Sequence, residues 1–147
     1  MKKREIEKAL KGLMSLRMGK FKNKALRNGI IVDHFTLLAA QREYLSAVED
    51  TRKTILGPYE KDQREMADLN DELQGTTDPQ ERAAIIRKIN TDYKEYIQET
   101  HNFAKAMEKL GNEEVTINGI PKDAFIEEAQ EQDIELSLIA DLFPMFV

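Results

Sequence analysis

The sequence predicts an all-α protein built around a long, coiled-coil-like antiparallel helical hairpin. Apolar residues recur at steps of three and four along most of the chain, the spacing that places them on one face of an α-helix. A turn-forming run at 75–79 (Gly-Thr-Thr-Asp-Pro) separates two long stretches of this pattern, so the second stretch is expected to fold back beside the first. Charged residues make up 33% of the chain, which suits helices with much exposed surface.

The first predicted helix, from Lys3 to Met18, is amphipathic and basic, and Gly19 is expected to end it. Its apolar residues share one face: Ile6, Ala9, Leu10, Leu13 and Met14. From Met1 to Asn28, ten Lys or Arg stand against two Glu, a balance of +8. The whole chain has a net charge of −5, so the remainder carries −13. The sequence therefore predicts a basic N-terminal arm joined to an acidic body.

The first arm of the hairpin is predicted from Asn23 to Leu73. We assign one apolar side to Leu26, Ile30, Leu37, Leu38, Tyr44, Leu45, Val48 and Ile55. The Gly57-Pro58 pair is expected to kink the helix, because proline lacks an amide donor and clashes with the preceding turn. Residues 23–41 extend beyond the reach of the second arm, which would leave an apolar face for the N-terminal helix or for another subunit.

The second arm begins at a capping sequence. Asp78 suits the N-cap, Pro79 suits the first helical position, and Glu81 could complete a reciprocal cap. The apolar residues that follow have heptad spacing: Ile86, Ile89, Tyr93, Tyr96, Thr100, Phe103, Met107 and Leu110. Gly111 is expected to end the helix. With both arms laid side by side at about 1.5 Å per residue, Tyr93 and Tyr96 would flank the kink and fill the space there.

The C-terminal segment, 112–147, changes character. Residues 114–120 alternate like a short strand, and we expect either an edge paired within an assembly or an extended strap. A short helix is predicted from Pro121 to about Gln130, and Ser137 is expected to cap a last turn. The apolar C-terminus should dock on a surface. The predicted organisation is one elongated domain, with a basic helix at 1–22, the hairpin at 23–111 and this segment.

No catalytic, metal or cofactor site is expected. His34 and His101 stand alone, whereas zinc needs three or four convergent ligands. The carboxylates between Glu127 and Glu135 are interpreted as a solvated acidic face. Glycine patterns for phosphate loops or nucleophile elbows are absent, and there is no cysteine. No run of about 18 apolar residues occurs, so no membrane crossing is expected.

Two groups of residues are predicted to contact partners. The first is basic, with Phe21 among cations that could neutralise phosphates while the ring stacks on a base; its members are Lys20, Lys22, Lys24 and Arg27. Nucleic acid is one possible ligand, and acidic surface of the same chain or of another copy is the alternative. The second group is apolar and implies protein partners or self-association: Val115, Ile117, Leu142, Phe143 and Phe146.

Four sequence stretches follow the Lys-rich first helix in a characteristic order: 22–28 (KNKALRN), 49–53 (EDTRK), 113–117 (EEVTI) and 134–137 (IELS). In this order the chain resembles uncharacterised short helical proteins encoded by tailed bacteriophages and prophages. The insertion around Asp78-Pro79 departs from the shorter hairpins of that family. The resemblance implies a phage setting, in which small non-enzymatic proteins serve as virion parts, assembly factors or modulators of host proteins.

These observations lead to two functional hypotheses. The first is a non-enzymatic structural or interaction protein of a phage or prophage, either a tail or head component or an assembly factor. The alternative is a regulatory binder whose basic arm engages nucleic acid or an acidic host protein. Either hypothesis places the chain in the cytoplasm of the host bacterium, and a virion component would also be found in the particle.

Overall fold

A computed structural model describes residues 1–147 and confirms the all-α class, with no β-ladder beyond two isolated bridges. Short 3₁₀ turns join several of the helices. In chain order the α-helices are α1 (Ile6–Met14), α2 (Lys24–Leu56), α3 (Glu60–Gly75), α4 (Pro79–Asp92), α5 (Lys94–Asn112), α6 (Lys122–Gln132) and α7 (Leu136–Asp141). The chain forms two compact units, one made of residues 1–46 with 109–147 and the other of residues 47–108.

The core of the first unit brings both ends of the chain together. Helix α1 contributes one apolar face and packs against α7. The predicted docking of the apolar C-terminus therefore takes place on the chain itself. The most deeply buried side chains of this core come from six segments: Ile6, Ala9, Leu10, Leu13, Phe21, Leu26, Ile30, Leu37, Ile120, Phe125, Leu142 and Met145.

Residues 114–120 form the extended strap, and their backbone pairs within the same chain rather than with another chain. At one end, Met1 and Val115 exchange backbone hydrogen bonds of 2.8 and 3.2 Å. At the other end, Ile120 donates its N–H to Met145 O and accepts from Val147 N at 2.8 and 3.1 Å. Both chain termini thus supply the backbone partners that an isolated strand lacks.

Two buried carboxylates on helices of the first unit hold neighbouring loops in place by accepting backbone hydrogen bonds. Asp33 on α2 accepts the backbone N–H groups of Asn118 and Gly119 at 2.8 and 2.9 Å. Glu128 on α6 accepts those of Lys22 and Asn23 at 2.9 and 2.7 Å. A buried carboxylate is stable when such donors replace water. These contacts correct the interpretation of Glu128 as part of a solvated acidic face.

The second unit contains the predicted hairpin turn, with α3 and α4 side by side. Asp78 caps α4 by accepting from Gln80 N, and Pro79 is the first helical residue, as predicted. Glu81 does not return to the Asp78 N–H; its carboxylate lies 3.3 Å from the Thr76 hydroxyl. The guanidinium of Arg82 donates to the carbonyls of Leu73 and Thr76 at 2.6 and 3.0 Å, which satisfies acceptors that the end of α3 leaves open.

The kink at Gly57-Pro58 is a 3₁₀ turn, Gly57–Tyr59. The rings of Tyr59 and Tyr96 lie 6.2 Å apart at this point, which confirms that Tyr96 fills the space at the kink. The buried ring of Tyr93 directs its hydroxyl to Glu65, 2.9 Å away. This hydrogen bond to a carboxylate, with desolvation of the phenol, raises the pKa of Tyr93.

Helix boundaries differ from the predictions at several points. Helix α1 ends at Met14, not Met18, because Leu16 and Phe21 turn into the core. The second arm is not one helix, since Tyr93 interrupts it with φ −113° and ψ 21°. Gly111 does not end α5; it is a buried helical residue where a Cβ would meet Arg4 and Tyr44 at 3.3 and 3.4 Å. Glu135, not Ser137, precedes the last helix.

Candidate functional site

Helix α2 carries two apolar faces within the first unit, and only one of them is buried. Leu26, Ile30 and Leu37 are at most 4% exposed in the core. A second set, which we call the α2 stripe, consists of Ile31, Phe35, Leu38 and Leu45, which are 37, 69, 43 and 57% exposed. At about 100° per residue, the stripe lies roughly 115° around the helix from the buried face. It therefore faces away from the core.

The prediction of a single apolar side on this helix is wrong for Leu38 and Leu45. Leu37 and Leu38 are neighbours in sequence, but adjacent residues of a helix point about 100° apart. Leu37 is fully buried, whereas Leu38 is exposed. The expected apolar face of residues 23–41 thus divides into one face that joins α1 in the core and another that no part of the chain covers.

From Asn28 to Gln41, about four helical turns, the surface around the stripe carries no exposed carboxylate, lysine or arginine, and the first exposed charges are Arg42 and Glu43, just before Leu45. Between Asn28 and Gln41 the only acidic or basic residues are Asp33 and His34, and Asp33 is buried on the other face. An exposed face of a helix in water normally carries charged side chains. Their absence from this part of α2 contrasts with a chain that is one-third charged.

The core holds α2 in place, so the stripe does not depend on a partner for its shape. Asn23 caps the helix by accepting from Leu26 N at 3.0 Å. Asp33 then ties its middle to the loop at Asn118 and Gly119. A preorganised surface loses less conformational entropy on binding than one that must fold first.

A second apolar surface lies between α6 and α7. It is a groove of about 640 Å³. Leu136 and Phe143 on its wall are 83 and 64% exposed. Its apolar lining consists of Ile126, Ala129, Ile134, Leu136, Ile139, Phe143 and Phe146.

The predicted basic contact group is partly engaged within the chain. Lys22 forms an ion pair of 3.0 Å with Glu131, and this pairing raises the pKa of Lys22. Lys20 and Lys24 are exposed, and Arg27 is partly exposed. Phe21 cannot stack on a nucleic-acid base because it is buried, with its ring 6.3 Å from that of Phe125. Of the four cations, only Lys22 is paired with an acidic residue of its own chain.

Most residues of the predicted apolar contact group pack in or against the core of the first unit. Leu142 is fully buried, which removes it from the residues available to a partner. Val115, Ile117 and Phe146 are half-buried against the same core. Only Phe143 presents most of its side chain to solvent. The surface on which the C-terminus docks is α1 of the same chain.

The structure contains no group of three or more histidine, aspartate or glutamate side chains placed to share a metal ion. None of its helices has both the length and the apolar character that crossing a bilayer requires. No family model matches this chain, and no curated protein or solved structure is similar to it.

Proposed function

We propose that the chain is a non-enzymatic structural or interaction protein that acts through contact between α2 and another α-helix. The α2 stripe is the observation that supports this proposal. Its members, together with Arg42, fall at positions 31, 35, 38, 42 and 45. These 4-3-4-3 steps are the seam of a two-helix coiled coil, so the partner is a helix with an apolar seam of its own.

The resemblance to short helical phage proteins supports a phage or prophage setting for this activity. In that setting the chain is a virion component or an assembly factor, because both roles depend on contacts between proteins and need no catalytic site. The exposed apolar side chains of the α2 stripe suit a protein that functions within an assembly.

The test compares wild type with the double variant Phe35→Ser/Leu38→Ser in the bacterium that encodes the chain. Particles are purified and the chain is quantified in them by mass spectrometry, and particle yield is measured. We expect the wild-type chain to be present in the particles or to be required for a normal particle yield. In the variant, the amount of chain in the particles or the particle yield should fall at least about tenfold, because two central seam residues lose their apolar surface. Normal particles that neither contain nor need the chain would contradict the proposal.

Leu136→Ser is the matched control. Leu136 is the most exposed large apolar residue of the first unit, but it lies in the groove between α6 and α7. We expect this variant to behave as wild type. Circular dichroism should show unchanged helix content in both variants, since every substituted side chain is exposed. An equal loss of chain from the particles, or of particle yield, in the control would show that the α2 stripe is not the contact site.

A further inference from the structure

We propose that the α2 stripe binds the same stripe of a second copy of this chain, with the two helices antiparallel. The inference rests on the proposed function, because it names the helix that the proposed function requires as a partner. It follows from the charge, the spacing and the area of the exposed face.

The charge of the face makes a second copy an acceptable partner. When two identical surfaces meet, charges near the twofold axis face like charges, and like charges in contact oppose association. The exposed surface of α2 between Asn28 and Gln41 has no Lys, Arg, Glu or exposed Asp, so a twofold axis within this segment brings no such like charges together. A twofold contact of one patch with itself is also the commonest symmetry of protein oligomers.

The spacing of the seam selects the antiparallel direction. In a parallel pair, Arg42 would face Arg42 of the other copy within the seam. An antiparallel pair with its twofold axis between positions 36 and 37 instead places Phe35 against Leu38 of the other copy, twice. Arg42 then lies against Ile31, where its aliphatic stem covers the apolar side chain and its guanidinium reaches solvent.

The area is sufficient for a weak dimer. Ile31, Phe35, Leu38 and Leu45, together with Val32 at the flank, are between 37 and 69% exposed. Complete burial of these side chains on both copies would remove roughly 1,000 Å² from water, near the lower limit for a specific interface. Because α2 is already folded and held by the core, little of the free energy gained by burying this area is offset by a loss of conformational entropy.

Light scattering and sedimentation of the purified chain, up to roughly millimolar concentration, test self-association. We expect a reversible monomer–dimer equilibrium. Phe35→Ser/Leu38→Ser should raise the dissociation constant at least about 100-fold, because two central layers of the seam are lost. Leu136→Ser should leave it unchanged. A wild-type chain that stays monomeric throughout the range would overturn the inference.

A spin label tests the direction of the pair. The chain has no cysteine, so Ser46→Cys, at an exposed position beside the stripe, provides one labelling site. Double electron–electron resonance should give a label separation of about 30 Å for the antiparallel pair, from the rise of 1.5 Å per residue and the spacing of packed helices. A parallel pair would bring the labels to about 10 Å, which is too close for this method but broadens the continuous-wave spectrum, and that broadening would overturn the inference.

The outcomes separate this inference from the proposed function. A monomeric or parallel chain that still enters particles through the α2 stripe would overturn the antiparallel self-pairing and leave the proposed function supported. An antiparallel dimer found in no particle and needed by none would support the pairing and contradict the proposed function. The two measurements can therefore fail independently.

Discussion

At the scale of single residues, Asp33 is the most deeply buried polar side chain of the first unit. It is 1% exposed, and its two carboxylate oxygens each accept one backbone N–H from the turn at Asn118 and Gly119. Gly119 has φ +87°, a conformation that residues with a Cβ rarely adopt. The Asp33 carboxylate thus stabilises the turn at the end of the extended strap, where Gly119 has a backbone conformation that other residues rarely adopt.

Replacement of Asp33 by alanine should therefore destabilise the first unit. We expect a loss of about 2 to 3 kcal/mol in the free energy of unfolding, because two buried donors lose a charged acceptor. Urea unfolding followed by circular dichroism measures this change. Asp33→Asn should not rescue it, since one oxygen becomes an NH₂ group that faces a backbone donor.

The control is Glu43→Ala, a loss of one exposed carboxylate on the same helix. Its effect should stay within about 0.5 kcal/mol, as for most surface substitutions. Hydrogen exchange at the amides of Asn118 and Gly119 should accelerate in Asp33→Ala alone. Unchanged exchange at these two amides would show that the Asp33 carboxylate does not hold the turn.

At the scale of elements, the contact between α1 and α7 depends on a close approach at Gly12. A Cβ at this position would lie 2.8 Å from Cδ2 of Leu142 and 3.2 Å from Cβ of Asp141. Leu142 is fully buried, so it has no free space into which it could move. The small residue on α1 therefore permits the C-terminal docking that removes Leu142 from any partner surface.

Gly12→Ala should destabilise the chain by about 1 to 3 kcal/mol through overpacking, measured by thermal unfolding. Gly29→Ala is the matched substitution, because Gly29 is also helical but nothing beyond its own helix backbone lies within 4 Å of an added Cβ. We expect that variant to gain about 0.5 to 1 kcal/mol from the better helix propensity of alanine. Effects of the same sign in both variants would contradict the packing at Gly12.

The contrast between the two long helical segments also belongs to this scale. In α2, one helix displays two apolar faces, so a single list of apolar residues mixes core positions with surface positions. In the segment from Pro79 to Asn112, the predicted seam is divided by Tyr93 into α4 and α5, and its first residue, Ile86, is 44% exposed. Spacing determines which residues share a face, but it does not determine how many faces find a partner within the chain.

At the scale of the whole molecule, pH should act on stability partly through Glu128. The backbone N–H of Asn23, followed by the side chain of Gln132 and the backbone N–H of Lys22, outweighs desolvation and lowers the pKa of this carboxyl group. A glutamate in the unfolded chain takes up its proton near about pH 4.3. The folded protein resists protonation of Glu128, so this contribution is complete above that pH and is lost as the pH falls through the lower folded value.

We therefore expect the free energy of unfolding to decrease in acid below about pH 4.3, with part of the slope absent in Glu128→Gln. The exposed neighbour Glu127 supplies the control, since Glu127→Gln should keep the wild-type slope. Urea unfolding at a series of pH values between about 2.5 and 6 measures both. Equal slopes in wild type and Glu128→Gln would remove Glu128 as the cause.

The sequence by itself determined the helical class, the turn at 75–79, the Asp78 cap, the kink at Gly57-Pro58 and the amphipathic face of α1, except at Met14, which was predicted to lie on that face but is 75% exposed. These features depend on local propensity, capping chemistry and the 3.6-residue period, which neighbouring residues specify. Only the tertiary structure decided that both chain ends pair with the extended strap, that Phe21 and Leu142 are buried and that the α2 stripe is exposed. Burial depends on which distant segments meet, so one apolar pattern can belong to a core or to an interface, and local periodicity is the same in both cases.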